Sequence, residues 1–411
     1  MRPILYTFEE HGEVLAFWHE MGYQNETILV FDRHLDLKKI ELDQLQRIRQ
    51  AKSSKELSLL NRDIPFRDDD TFAYGLDNFL YAAAQIGLLK RLVWVIPEPT
   101  YYSVEQLGKI LWEMLSLIPD HGEEVLQTFR YHHASVSAIV SGLLIEITTL
   151  RRLSSLHFLQ PCRVDIDLDF FYGEDGKLAH TVSEVCKQLQ QCCLTDRLQT
   201  MTYSIYSGFL PESYRWLGQE IANLCGYQIQ SLTTRRQKYA VESMEIISRQ
   251  KEIQMEQYQA LWEKELSELN GVGWTVRGLL ALQMYQLFEA YHCYEQAHLH
   301  GDRATWLGYS IGLYLLRQQQ YEEAATWFQR AEGSLVDTLQ AHSLQLRLLC
   351  EYRSGQFEAA LATADRCLSQ LPLRLDAYKI GIVTARMLSC EDQALEWEDK
   401  RQIVQSILLS S

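Results

Sequence analysis

The sequence has no long uninterrupted apolar run, no excess of basic charge and no CxxC pair, and each absence removes a class of function. Without an apolar stretch of about twenty residues, no bilayer-spanning helix is expected. Lys and Arg number 39 against 54 Asp and Glu, a net charge of −15. Nucleic-acid binding needs a basic face and is therefore not expected. The 9 cysteines are odd in number and scattered, and Cys192 and Cys193 are adjacent, a poor geometry for an ordinary disulfide. Reduced thiols in a cytoplasmic compartment are the simplest expectation. The opening "MRPILYTFEEHGEV" meets acidic residues too early for a secretory signal.

What is present is a large core-forming chain. Its 411 residues are 47% hydrophobic and 11% aromatic, enough for two or three domains rather than a disordered tract. Strand patterns at Ile4–Phe8, Ile28–Phe31, Leu92–Ile96, Val164–Phe170 and Thr200–Tyr206 alternate with helical patterns at Glu13–Met21, Asn78–Leu88, Ser103–Leu115 and Ala179–Cys192. That alternation predicts a mainly parallel sheet with helices on both faces. The polar segment 51–71, which contains "RDDD", reads as a solvated loop insertion near the active end of the sheet.

From about Gln230 the strand patterns stop and Leu-, Ala-, Gln- and Glu-rich helices take over. Tyr321 and Ala324 recur in kind as Phe357 and Ala360, 36 positions on. Small residues allow two antiparallel helices to approach closely, and Pro372 ends the second of them. The pattern resembles the tetratricopeptide repeat, with flanking helices as further or capping units; an ordinary helical bundle is the plainer alternative. The expected division is residues 1–230 and 231–411.

Two acidic strand tips stand out. In "TILVFDRHLDLKK" an apolar run ends in Asp32, His34 and Asp36; in "CRVDIDLDFFYGEDG", Asp165, Asp167 and Asp169 alternate with apolar residues. Continued alternation would put each set on one face. A solvated strand end explains one such set, but a row of buried carboxylates is costly unless cations neutralise it. A divalent metal is the simplest neutraliser. His11, between a strand and a helix in "TFEEHGEVLAFW", adds a nitrogen donor at the same end of a parallel sheet. Carboxylates mixed with imidazoles suit Mn²⁺, with Fe²⁺, Co²⁺ and Zn²⁺ as competitors.

His11, then Asp32-Arg33-His34-Leu35-Asp36, then Asp165-Ile166-Asp167 resembles the arginase/agmatinase ureohydrolase superfamily. The nearer resemblance is to the UPF0489 family, in "EEHGEVL", "VFDRHLDL", "LDNFLYAAAQIGLLKRLVWVIP" and "DIDLDFF", and it covers roughly residues 1–230. Some bacterial members are peptide arginases, which convert arginine in ribosomally made peptides to ornithine. The resemblance implies a three-layer arginase-like α/β domain, followed here by the all-α repeat region. It implies two divalent ions, most simply Mn²⁺. His11, Asp32, Asp36 and Asp165 would hold one, and Asp32, His34, Asp165 and Asp167 the other, with Asp32 and Asp165 bridging. Glu10 and Asp169 would support these ligands from behind. Asp36 would pass a proton to the departing amine. Glu212, after a late strand, would bind the guanidinium, or simply open a helix. Asn78 would contact substrate or cap a helix.

The sequence also departs from the superfamily. Its Gly-Gly-Asp-His motif stands here as Glu9-Glu10-His11-Gly12, and Asp-x-Asp-x-x-Asp-Pro is replaced by 165–170. Leu37-Lys38-Lys39 follow Asp36 where free-arginine enzymes grip the α-amino and α-carboxylate groups. That suits an arginine embedded in a peptide. The expected function is thus a binuclear peptide arginase in peptide natural-product maturation, whose repeats hold a partner or the leader segment of a precursor peptide. A deacetylase-like amidohydrolase and a non-catalytic metal-binding scaffold are the alternatives.

Overall fold

The computed structural model describes residues 2–409 except 63, 99, 157–161, 174–175, 233–240 and 334–336. Of the short sequence stretches singled out above, Met1, Asp63, Glu174 and Asp175 lie outside the described residues. The strands are β1 (Ile4–Phe8), β2 (Glu26–Phe31), β3 (Leu89–Ile96), β4 (Arg130–Tyr131), β5 (Val136–Val140), β6 (Leu143–Thr149), β7 (Cys162–Asp167), β8 (Leu198–Thr202) and β9 (Gln228–Ser231). They form one mixed sheet in the order β4-β5-β6-β3-β2-β7-β8-β1-β9. From β6 to β9 every neighbouring pair is parallel, and only β4-β5 and β5-β6 are antiparallel.

Helices α1 (Val14–Glu20), α2 (Leu42–Gln50), α3 (Ser54–Leu60), α4 (Phe79–Gln85), α5 (Val104–Leu115), α6 (Gly122–Thr128), α7 (Val182–Gln191), α8 (Trp216–Cys225) and α9 (Val241–Ser248) accompany the sheet in sequence. Leu29, Phe31, Val164 and Ile166 pack with Val185 and Leu189 of α7 and with Leu217 and Ile221 of α8. Ile28 and Val30 point the other way and are equally buried. Both faces of the central strands are therefore covered, which is why β2 reads as a continuous apolar run.

The structure departs from the sequence reading in several places. Strand β7 stops at Asp167, and Leu168–Phe171 turn into a 3₁₀ helix. The β5–β6 hairpin was not anticipated; Ser141 and Gly142 make its turn with φ of 52° and 78°. The 51–71 segment is not one solvated loop: it contains α3, and Asp68 is fully buried.

The chain forms two compact units. The sheet unit is Met1–Pro65, Thr71–Leu111 and Thr128–Arg249. It runs past residue 230 because α9 packs on the loop after β8, where Ser248 Oγ donates to Ser207 O at 2.8 Å. The other unit is Phe66–Asp70, Trp112–Gln127 and Gln250–Ser411. Within it the Thr305 hydroxyl donates to Asp68, and Phe66 meets the Trp306 ring edge-on at 5.7 Å.

After α10 (Met255–Leu261), the second unit is built from α11 (Asn270–Gln283), α12 (Leu287–Leu299), α13 (Thr305–Arg317), α14 (Tyr321–Ala331), α15 (Asp337–Arg353), α16 (Phe357–Gln370), α17 (Leu375–Met387) and α18 (Glu391–Leu408). The even-numbered members from α12 on begin at residues 287, 321, 357 and 391, steps of 34, 36 and 34. A Cβ on Gly312 would lie 2.8 Å from the Phe328 ring and one on Gly381 2.9 Å from Trp397, so the α13–α14 and α17–α18 pairs each close over a glycine. Among the described residues, no helix is long and apolar enough to cross a membrane.

Candidate metal centre

The sheet order sets β2, β7, β8 and β1 side by side, and the acidic residues collect where these strands end. Carboxyl ends of parallel strands are the usual place for a ligand in such sheets. His11 follows β1 and opens a 3₁₀ turn, His11–Glu13. Glu13 Oε2 accepts the backbone N–H groups of Glu9 and Glu10 at 3.0 and 3.2 Å, which fixes that turn. Residue 12 must be small: a Cβ there would come within 2.8 Å of Asn61 Oδ1 and 3.0 Å of the Gly75 backbone.

The His11 ring is buried and meets four carboxylates. Nε2 lies 2.7 Å from Asp165, and Nδ1 lies 3.0, 3.1 and 3.2 Å from Asp32, Asp36 and Asp167. Phe79 of α4 backs the ring at 4.5 Å. Burial opposes a charge on His11, but Asp165 and the surrounding hydrogen bonds outweigh it and hold the imidazole well above its ordinary range.

Asp32 comes directly after β2, its backbone N–H still donating to Val95 O at 3.2 Å. Trp94 Nε1 donates to its carbonyl at 3.0 Å, and its Oδ1 accepts the His34 N–H at 2.7 Å. The extended chain does not continue beyond this point. Residues 32–40 are irregular, and Asp36 takes φ 46°, a left-handed conformation uncommon outside glycine. His34 and Asp36 thus reach the cluster through a turn rather than by strand alternation. His34, its side chain 39% exposed, faces Asp169 at 2.9 Å and Phe209 at 4.7 Å. Partial burial works against its charge; Asp169 prevails and lifts it to about 9.

On β7, register places Asp165 beside Thr200 and Asp167 beside Thr202 of β8. The Thr200 hydroxyl donates to Asp165, and Ser204 Oγ donates to Asp167 at 2.6 Å. Burial followed by the charge of Asp169 pushes Asp167 up to about 8. Burial, then neighbouring carboxylates, raises Asp32 well above the carboxylate range, and burial raises Asp36 despite His11. Asp169 is the exception. Burial would raise it, yet His34 holds it below its ordinary value.

Among the described residues, two groups of donor atoms come within 4.8 Å of one another: His11, Asp32 and Asp36, and Asp32, His34 and Asp169. Asp32 belongs to both. Asp165 and Asp167 join the first through their contacts with His11. Asp169, expected behind the ligands, stands among the donors instead, because the 3₁₀ turn swings it toward His34. Asp32 Oδ2 and Asp169 Oδ2 are buried, and neither accepts a well-formed hydrogen bond. Five carboxylates share the imidazoles of His11 and His34 as positive partners. This hard-oxygen set with two nitrogens fits divalent cations of the Mn²⁺ type.

Glu10, expected to support the ligands, accepts the Ser207 N–H on Oε1 at 2.7 Å, and burial, opposed by Ser207, pushes it well up. Two residues are not brought into the cluster. Glu212 is exposed and holds Arg215 at 2.7 Å, and that guanidinium also takes both oxygens of Glu9 at 2.7 and 2.9 Å. Asn78 sits at the start of α4 without a side-chain cap bond and accepts the Gly75 N–H at 2.8 Å. Thr200 and Ser204 escaped the sequence reading; their signal was the period-two row Thr200, Thr202, Ser204 facing the aspartates of β7.

Neither a protein-family model nor a curated protein matches the chain. One solved structure that it matches is YrrB, described as a TPR protein with an unusual peptide-binding site. The match has 22% sequence identity, covers 37% of this chain and 79% of that one, and has a TM-score of 0.29.

Proposed function

We propose that the chain is a binuclear metal-dependent hydrolase with an arginase-like fold, which converts arginine side chains in a peptide to ornithine and urea. The observation that carries the reading is Asp32, a fully buried carboxylate shared by two His/Asp donor groups at adjacent strand ends. His11, Asp32, Asp36 and Asp165 would hold one divalent ion, and Asp32, His34 and Asp169 the other, with Asp167 touching both groups through His11 and the Asp169 N–H. Such ions, when bound, supply Lewis acidity and a water acidic enough to be hydroxide at neutral pH.

The chain's own residues supply the rest. Thr200 and Ser204 aim Asp165 and Asp167, and Ser207 fixes Glu10 beside His11. Asp36, held at 3.1 Å by His11 Nδ1, would carry a proton to the departing amine as the guanidinium C–N bond breaks. His34 is the half-exposed member of an otherwise buried set, so the substrate enters past it and Phe209. Leu37-Lys38-Lys39 offer no pair of groups for a free amino acid's termini, which favours a peptide-borne arginine. The helical hairpins would hold a flanking leader segment or a protein partner, since stacked repeats present extended surfaces.

The test is to incubate the full chain, loaded with Mn²⁺, with arginine-containing peptides. The expected product is lighter by about 42 Da per converted residue, the mass of CN₂H₂ lost by hydrolysis to urea. Acetate release from acyl-lysine peptides would point instead to an amidohydrolase, and metal binding with no mass change to a scaffold.

A further inference from the structure

On the face of the sheet that carries α7 and α8, Cys186 and Cys225 place their sulfurs 3.3 Å apart. Cys186 is buried in α7, and Cys225 ends α8 partly exposed. Both border a cleft of about 550 Å³, lined also by Lys187, Cys193 and Asp196. A thiol-to-thiol contact between two helices, opening on a cleft, has no part in the metal chemistry proposed above.

We propose that Cys186 and Cys225 form a thiol–disulfide exchange site, which low-molecular-weight disulfides of the glutathione type oxidise reversibly, stapling α7 to α8. Cys225 is the attacking sulfur because it is the more exposed of the two. Its thiolate displaces one thiolate from the incoming disulfide and leaves a mixed disulfide on Cys225. Cys186 then loses its proton and attacks the Cys225 sulfur, releasing the second small thiol. In sum, two protein thiols and one small disulfide give one protein disulfide and two small thiols. The protein sulfurs are oxidised, and the incoming disulfide is reduced. The order of attack agrees with the charges: contact with Cys186 holds Cys225 below the usual thiol range, and the same contact pushes Cys186 far above it. The staple would tie the helices that follow β7 and β8, the strands bearing Asp165, Asp167 and the Thr200 hydroxyl that Asp165 accepts.

The experiment treats the reduced full chain with oxidised glutathione and maps the product by mass spectrometry without reduction. The expected result is an intact mass lower by about 2 Da, a cross-linked peptide pair containing Cys186 and Cys225, and reversal by dithiothreitol. The Cys186→Ser variant should instead keep one glutathione on Cys225, because the resolving thiol is gone. An unchanged mass, a stable glutathione adduct on the unmodified chain, or a disulfide between other cysteines would each overturn the proposal. The peptide mapping of the unmodified chain gives the answer even if a serine variant fails to fold.

Discussion

Asp32 is where the physical argument is most concentrated. A fully buried carboxylate among like charges costs stability unless something cationic compensates, so a metal-binding role and a structural role predict opposite mutational signs. Asp32→Asn retains the oxygen that accepts the His34 N–H and removes the charge. In chelator-treated protein this variant should unfold at a higher temperature than the parent, and it should bind no Mn²⁺ by elemental analysis. A lower melting temperature together with intact metal binding would contradict the assignment. One shell further out, Ser204→Ala should weaken Mn²⁺ binding by roughly 10–100-fold, the usual cost of losing a group that orients a ligand; titration calorimetry measures it.

The titrating groups give a pH signature at the same scale. Asp167, lifted to about 8, holds a proton in the fold that it loses in the unfolded chain at neutral pH. The metal-free fold therefore loses stability as pH rises from the ordinary carboxylate range toward 8. His34, lifted to about 9, acts in the same direction: its contribution is complete below the ordinary histidine value and is lost as pH rises through 9. Asp169 acts oppositely, its contribution vanishing as pH falls below the ordinary carboxylate range. The melting temperature of stripped protein should thus fall between about pH 6 and pH 9. The increment added by Mn²⁺ should grow across that interval, because ligands must shed protons to bind. Melting curves with and without metal at several pH values check both slopes.

At the scale of elements, what was legible followed from periodicity. Strands β1, β2, β7 and β8 and helices α1 and α7 lie where apolar spacing placed them, within a few residues. The acidic tips were visible because charge at every second position of an apolar strand has no bland explanation once it occurs twice. Their exact path was not visible. Asp36 reaches the cluster through a left-handed turn, and Asp169 through a 3₁₀ turn that Asp167 initiates by accepting the Asp169 N–H at 3.1 Å. Strand alternation describes neither. Glu212 opens the 3₁₀ turn Glu212–Tyr214, the plainer of its two readings; its partner Arg215 is three residues away, and the other carboxylate on that arginine, Glu9, is 206 residues distant from it. The β5–β6 hairpin carries a Ser-Gly turn between two short apolar runs, which is the local mark of a tight hairpin. In the helical unit, Gly312→Val would force a branched side chain into the Phe328 ring. It should lower stability to denaturant by about 1–3 kcal/mol, with Mn²⁺ binding unchanged.

For the whole molecule, two compact units and a proposed metal centre built from residues of one of them predict unequal responses. Bound metal stabilises only the unit that contains its ligands. Calorimetry of the full chain should therefore show one transition that moves upward with Mn²⁺ and another that does not. The net charge of −15 favours approach of cations to the protein, although it selects none of them. The most direct test of the central claim is the metal content of the full chain, stripped with chelator, reloaded with Mn²⁺ and freed of excess. Two ions per chain, falling to none in Asp32→Asn, is the predicted result; a chain that retains no divalent metal from a saturating solution would contradict it.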